Sequence, residues 1–133
     1  MKPIVAEMLK IYRVKPLDFM GYKVTRENPY TYHHIKKKCD GGQVTIENGA
    51  ILTLNAHEYL NIIEFKGANT YYALNEMFKI INRQGHAPTM EQYQIIDALL
   101  RMFEEEHRND KNSKGKPLIK QKYLKREIIK NRR

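Results

Sequence analysis

The chain has 133 residues, enough for one domain with a modest core and too few for two independent ones. Charged residues make up 29%, and no apolar run approaches the roughly eighteen residues that a membrane span needs. The early residues lack the apolar stretch of a secretory signal, so a soluble cytoplasmic protein is expected.

The formal charge is +9, and its distribution is uneven. From Met1 to His107 there are thirteen basic and thirteen acidic residues; from Arg108 to Arg133 there are eleven basic and two acidic ones. A neutral body with a concentrated basic end implies an anionic polymer as partner, most often nucleic acid. The single cysteine, Cys39, permits no internal disulfide and no Cys-x-x-Cys zinc site, which fits a reducing compartment.

In chain order, the apolar spacing after Pro3 predicts a helix over 4–13. A connector follows, with turn residues at Pro16, Gly21, Asn28 and Pro29. "YTYHHI" is aromatic and β-branched enough for a strand, "KKKCDGG" reads as a turn, and "QVTI" as a second short strand. "ENGAILTL" holds another turn and then an apolar strand. Asn55 is the expected helix cap. Behind it His57, Asn61 and Glu64 fall at i, i+4 and i+7, one narrow polar stripe. Helices are predicted over 70–84, with Tyr71, Leu74, Phe78 and Ile81 inward, and over 89–107, with Tyr93, Ile96, Leu100 and Phe103 inward. These two helices are assigned to packing and to no chemistry. Residues 109–133 form a basic tail, expected to be flexible or an amphipathic helix with Leu124 and Ile128 on one face.

Two features combine into a candidate site. His33 and His34 are neighbours on a strand and point to opposite faces, so both serve one site only where the strand ends or twists. His57 opens a helix with Asn61 one turn later, a common spacing for two ligands of one ion. A hairpin followed by a helix brings His33 beside His57.

The full order is His33-His34-Ile35, Gly41-Gly42, Asn48 before an aliphatic run, then Ala56-His57-x-x-x-Asn61. This stretch, 31–61, resembles the ββα-metal motif of HNH endonucleases. The separations of 14 residues from His34 to Asn48 and 9 from Asn48 to His57 also suit it. The resemblance covers about a quarter of the chain, and the later helices are similar to those of small phage- or mobile-element-borne members. It implies an α+β fold, a ββα-metal (His-Me finger) core over 30–66 with additional packing helices, within a nuclease domain over 1–108. It further implies His34 as the general base, Asn48 as the residue that orients it and braces the loop, and His33 and His57 as ligands of one divalent ion. Asn61 matches a position where other members place a further ligand.

Two departures matter. The Cys-x-x-Cys pairs of many members are absent, so the helices over 70–107 must brace the fold. His33 stands where many members carry Asp, which leaves Mg²⁺, Mn²⁺, Ni²⁺ and Zn²⁺ all open as the metal. The expected activity is hydrolysis of DNA, with Lys36, Lys37, Lys38, Lys120, Lys122, Lys125 and Arg126 gripping phosphates. The alternatives are a non-catalytic nucleic-acid-binding module, a structural metal-binding module, and a ribonuclease. Glu58 and Glu64 read as solvated helix charges, and His86 and His107 fall outside the site.

Overall fold

β-Branched and aromatic residues build a two-stranded antiparallel sheet. In the computed structural model, which describes residues 1–127, β1 (Tyr30–His34) pairs with β2 (Gly49–Thr53) in the register Tyr30↔Thr53, Tyr32↔Ile51, His33↔Ala50 and His34↔Gly49. Residues opposite one another share a face. One face therefore carries Thr31 and His33, and the other Tyr30, Tyr32 and His34.

The described residues hold four helices, α1 (Pro3–Tyr12), α2 (Leu54–Lys66), α3 (Ala68–Gln84) and α4 (Met90–His107), the first three of which contact the hairpin. The mixed helix and sheet content agrees with the expected α+β class. Pro3 sits in the first turn of α1, where its missing N–H costs nothing. Thr89 and Gln92 form a reciprocal capping box at the start of α4. Gly85, at φ +74°, ends α3 and donates to Ile81. The inward stripes lie close to their predicted positions: Leu74, Phe78 and Ile81 on α3, and Tyr93, Ile96, Leu100 and Phe103 on α4, are buried. α2 packs on α3, α3 on α4, and α2 and α3 both touch β2.

Three local expectations differ from the structure. Residues 43–46, "QVTI", form no strand. Side chains satisfy their backbone instead: the Tyr32 hydroxyl accepts from Thr45 N (3.0 Å) and donates to Thr45 O (2.7 Å). The cap of α2 is Thr53 rather than Asn55, because β2 runs into the helix without a loop. Thr53 accepts from Ala56 N, while Asn55 N donates to Asn28 Oδ1 at 2.7 Å. Residues 109–127 form no amphipathic helix. They run back over the body as a strap with one 3-10 turn at Gln121–Leu124, and Ile128 lies outside the described residues.

The strap is held by side chains far from it in sequence. Tyr123 stacks on Tyr59 of α2, with centroids 4.8 Å apart and planes within 3°. Tyr22 donates its hydroxyl proton to Tyr123 O. Arg126 is only 7% exposed and reaches Asp97 Oδ1 through Nε (2.7 Å) and Glu104 Oε2 through Nη1 (2.8 Å). Among the described residues, no helix is long and apolar enough to cross a membrane.

Candidate active site

Two imidazoles, His33 and His57, meet where β1 packs on α2, and a third, His34, lies on the opposite face of the strand. β1 stops at His34, so the two neighbouring histidines diverge at the last rung of the sheet. His33 is buried and turns toward α2 and α3, with its ring centroid 5.6 Å from His57 and 5.8 Å from Phe78. His34 takes the other face, where its ring meets the edge of Tyr32 at 5.0 Å. Gly49 faces His34 across the ladder and gives Tyr32 room, since a Cβ there would strike the Tyr32 ring.

Each of the two facing rings has one nitrogen tied to oxygen. His33 Nε2 lies 2.8 Å from Asn75 Oδ1, and His57 Nδ1 lies 2.8 Å from Thr31 Oγ1. Burial pushes the His33 imidazole down to about 4, against the opposing effect of its bond to Asn75, so it is neutral at pH 7. His57 is lowered as well, first by burial and then by His34 and Lys2. Neutral imidazoles carry the lone pair that a metal requires. His34 Nε2 is buried and has no hydrogen-bond partner among the described residues, and such atoms call for an explanation.

The loop between the strands is pinned from within. Asn48 Oδ1 accepts from Lys36 N (2.7 Å), and its Nδ2 donates to Lys36 O (3.0 Å) and Gln43 O (2.9 Å). Asn48 thus braces the loop that follows His34. Its amide is engaged with backbone there, and none of its described bonds reaches the His34 ring. Gly41 and Gly42 have separate reasons to be glycine. Gly41 sits at φ +90°, and a Cβ on Gly42 would run into the Lys36 carbonyl. Asn82 of α3 adds a bond to Gly49 O at 2.8 Å.

The remaining expected site residues are spread more widely. Asn61 is exposed one turn beyond His57, and no described bond fixes its amide. Lys36 and Lys38 are exposed, while Lys37 pairs with Glu64. Lys120 and Lys125 are exposed on the strap, and Lys122 pairs with Glu58 at 2.9 Å. Arg126 is the clear departure from the expected phosphate grip, because its guanidinium is turned inward onto Asp97 and Glu104. Glu58 and Glu64 are partly exposed, and each pairs with a lysine; the bond from Lys122 holds the Glu58 carboxyl below its ordinary range.

The helices over 70–107, expected to serve packing alone, also bring a polar side chain to the histidines. Asn75, on α3, is buried at 8% exposure and contacts His33 directly. Its signal was present in the sequence, as a polar residue inside the stripe of Tyr71, Leu74 and Phe78. A cleft of about 980 Å³ is lined by Lys36, Lys37, Asn48, Tyr71, Lys79 and Arg83 among others. Its walls contain no histidine, but Tyr71 connects it to the cluster, with its ring 6.4 Å from His33.

The donor set suits a borderline divalent ion. Two imidazoles bound to one ion at ~2.1 Å place their centroids about 5–6 Å apart, and His33 and His57 stand at 5.6 Å. Among the described residues, no group of three or more His, Cys, Asp or Glu side chains is placed to hold a metal ion. The chain matches no protein-family model, no curated protein and no solved structure in three separate comparisons.

Proposed function

We propose that the chain is a metal-dependent endonuclease of HNH type that hydrolyses phosphodiester bonds of DNA on a ββα-metal core. The observation that carries this reading is the pairing of the His33 and His57 rings, with centroids 5.6 Å apart, beside a third imidazole, His34, on the opposite face of β1. Two face each other with one nitrogen of each ring fixed, and the third, His34, offers a buried and unpartnered Nε2.

In this reading His34 accepts the proton of the water that attacks the scissile phosphate, a task suited to an imidazole near neutral pH. Asn48 keeps the backbone after His34 in place through its bonds to Lys36 and Gln43. His33 and His57 hold one divalent ion, and Asn61, one helical turn after His57, supplies a further ligand. When bound, such an ion stabilises the charge that develops on the phosphate and on the leaving 3′-oxygen. Lys36 and Lys38 beside the site, and Lys120 and Lys125 on the strap, attract the phosphate backbone. The exposed Cys39 suits the reducing cytoplasm proposed as the compartment.

The test is cleavage of supercoiled plasmid by the purified protein in Mg²⁺, Mn²⁺, Ni²⁺ or Zn²⁺, with EDTA as control. His34→Ala is expected to lower the rate by about 10²–10⁴-fold while the fold persists by circular dichroism. Full activity in that variant would remove His34 from the role of base. DNA binding without cleavage in any of the four metals would replace the enzyme with a non-catalytic binding module. Cleavage of RNA with the plasmid left intact would change the substrate and keep the chemistry.

A further inference from the structure

The hydrogen bonds behind His33 and His57 determine which nitrogen each ring presents. The Thr31 hydroxyl has a single proton, and it donates that proton to Leu52 O, its partner across the ladder, at 2.9 Å. Toward His57 Nδ1, 2.8 Å away, the same oxygen has only lone pairs to offer. The proton in that bond therefore belongs to His57, which carries it on Nδ1 and leaves Nε2 bare. This is the less common tautomer of a free histidine. On the other ring, Asn75 Oδ1 is an acceptor, so His33 carries its proton on Nε2 and leaves Nδ1 bare.

We propose that Thr31 and Asn75 are positioning residues that lock the two histidines into opposite tautomers, turning Nδ1 of His33 and Nε2 of His57 into the paired donors for one divalent ion. The proposal rests on the metal-binding reading above and adds to it two residues outside the histidine pattern. A histidine ligand whose remaining N–H is held by an oxygen acceptor is both oriented and made more basic. Here the two acceptors come from different elements, the hairpin for His57 and α3 for His33. Docking α3 on the sheet thereby completes the pair, which gives Asn75 a reason to be buried among apolar neighbours. The centroid separation of 5.6 Å matches a shared ion, and the rings stand at 85° to each other.

The tautomers are read directly in the metal-free protein by long-range ¹H–¹⁵N correlation spectra of the imidazoles at pH 7.5. His57 is expected as the Nδ1–H form and His33 as the Nε2–H form. Thr31→Val is expected to release His57 to the common Nε2–H form; His33 already holds the common form, so Asn75→Leu is read by metal affinity alone. Each is expected to weaken Zn²⁺ binding by isothermal titration calorimetry by about 10–100-fold. Thr31→Ser and Asn75→Asp retain the acceptor oxygens and are expected to retain both tautomers. They keep the test decisive if an apolar variant fails to fold. A His57 found as the Nε2–H form in the wild type overturns the lock. Unchanged Zn²⁺ affinity in a folded Thr31→Val protein overturns its link to the metal. If the wild type shows both expected tautomers yet binds none of Zn²⁺, Ni²⁺ and Mn²⁺, the metal reading fails and the two bonds are structural. If it binds Zn²⁺ with mixed tautomers, the metal reading stands and this inference fails.

Discussion

The imidazole cluster and the strap clamp use polar residues in opposite ways. At the clamp every charge is used up. Arg126 gives its protons to Asp97, Glu104 and Tyr123 O, and Glu104 also accepts from Tyr59. At the imidazole cluster the bonds are incomplete: each facing ring spends one nitrogen, and His34 Nε2 has no partner. Closed networks confer rigidity, whereas an unpartnered buried polar atom calls for an explanation. The comparison also separates residues that look alike in sequence. Lys125 and Arg126 are adjacent members of one basic tail, yet the first is exposed and the second is a buried structural cation.

The clamp is where the largest loss of stability is expected. Arg126→Ala leaves Asp97 with Arg101 alone and Glu104 with the Tyr59 hydroxyl alone, and removing one partner of a buried pair costs about 3–5 kcal/mol. Urea denaturation followed by circular dichroism measures it. Lys at this position is expected to recover only part of the loss, since an ammonium cannot fork between two carboxylates. A loss below about 1 kcal/mol, the range of surface ion pairs, would mean that the clamp is no more than a surface contact. The same geometry bears on tail truncation. Cutting the chain at residue 109 would remove Tyr123 and Arg126 together, so any loss of DNA binding would be confounded with loss of fold.

Asp18 links the two regions and supplies the next effect. It is fully buried and accepts from Met20 N (2.8 Å), Tyr22 N (3.0 Å) and Thr53 N (2.7 Å). Thr53 caps the His57 helix, while neighbouring Gly21 O accepts from Glu127 N of the strap. Burial raises the carboxyl to about 6 from 3.8, outweighing the three N–H donors that favour the charge. A folded-state value above the unfolded one means that the folded state binds the proton more tightly. The contribution of Asp18 is therefore full below pH 3.8 and is lost as pH rises through about 6. Across that window the stability difference between wild type and Asp18→Asn is expected to shrink by about 2–3 kcal/mol. Denaturation at pH 4 and pH 7.5 measures it, and a difference independent of pH would show Asp18 to be ionised throughout. Glu58, whose value is lowered by Lys122, contributes in the opposite sense, with stability that is lost as pH falls.

Much of the fold was legible, and the reasons are local. β1 and the stripes of α3 and α4 follow from periods of two and 3.6 residues, which need no knowledge of the partner. The Gly41-Gly42 pair and Asn48 were legible as loop punctuation, and each has a specific steric or hydrogen-bonding role. What escaped depends on contacts across long separations. Asn75 meets His33 over 42 residues, and Arg126 meets Asp97 over 29. Neither pairing leaves a periodic trace. "QVTI" has the composition of a strand, but a tyrosine hydroxyl from β1 takes the bonds that a ladder would have used. Propensity loses there to a single side chain.

The smallest expected change in stability belongs to the exposed lysines of the strap, and it completes the comparison with the clamp. Lys120 and Lys125 are exposed and enter no described ion pair, so the double substitution Lys120→Glu and Lys125→Glu should shift folding by no more than about 0.5 kcal/mol. Its effect should fall on DNA instead. Each phosphate contact removed lowers the slope of log affinity against log salt by about 1. Fluorescence anisotropy with a short duplex, repeated from low to moderate salt, reads that slope. A slope reduced by about 2 in a protein of unchanged stability would assign the free charge of the strap to phosphate and its buried charge to the fold. An unchanged slope would leave Lys36 and Lys38, beside His34, as the cations that face DNA.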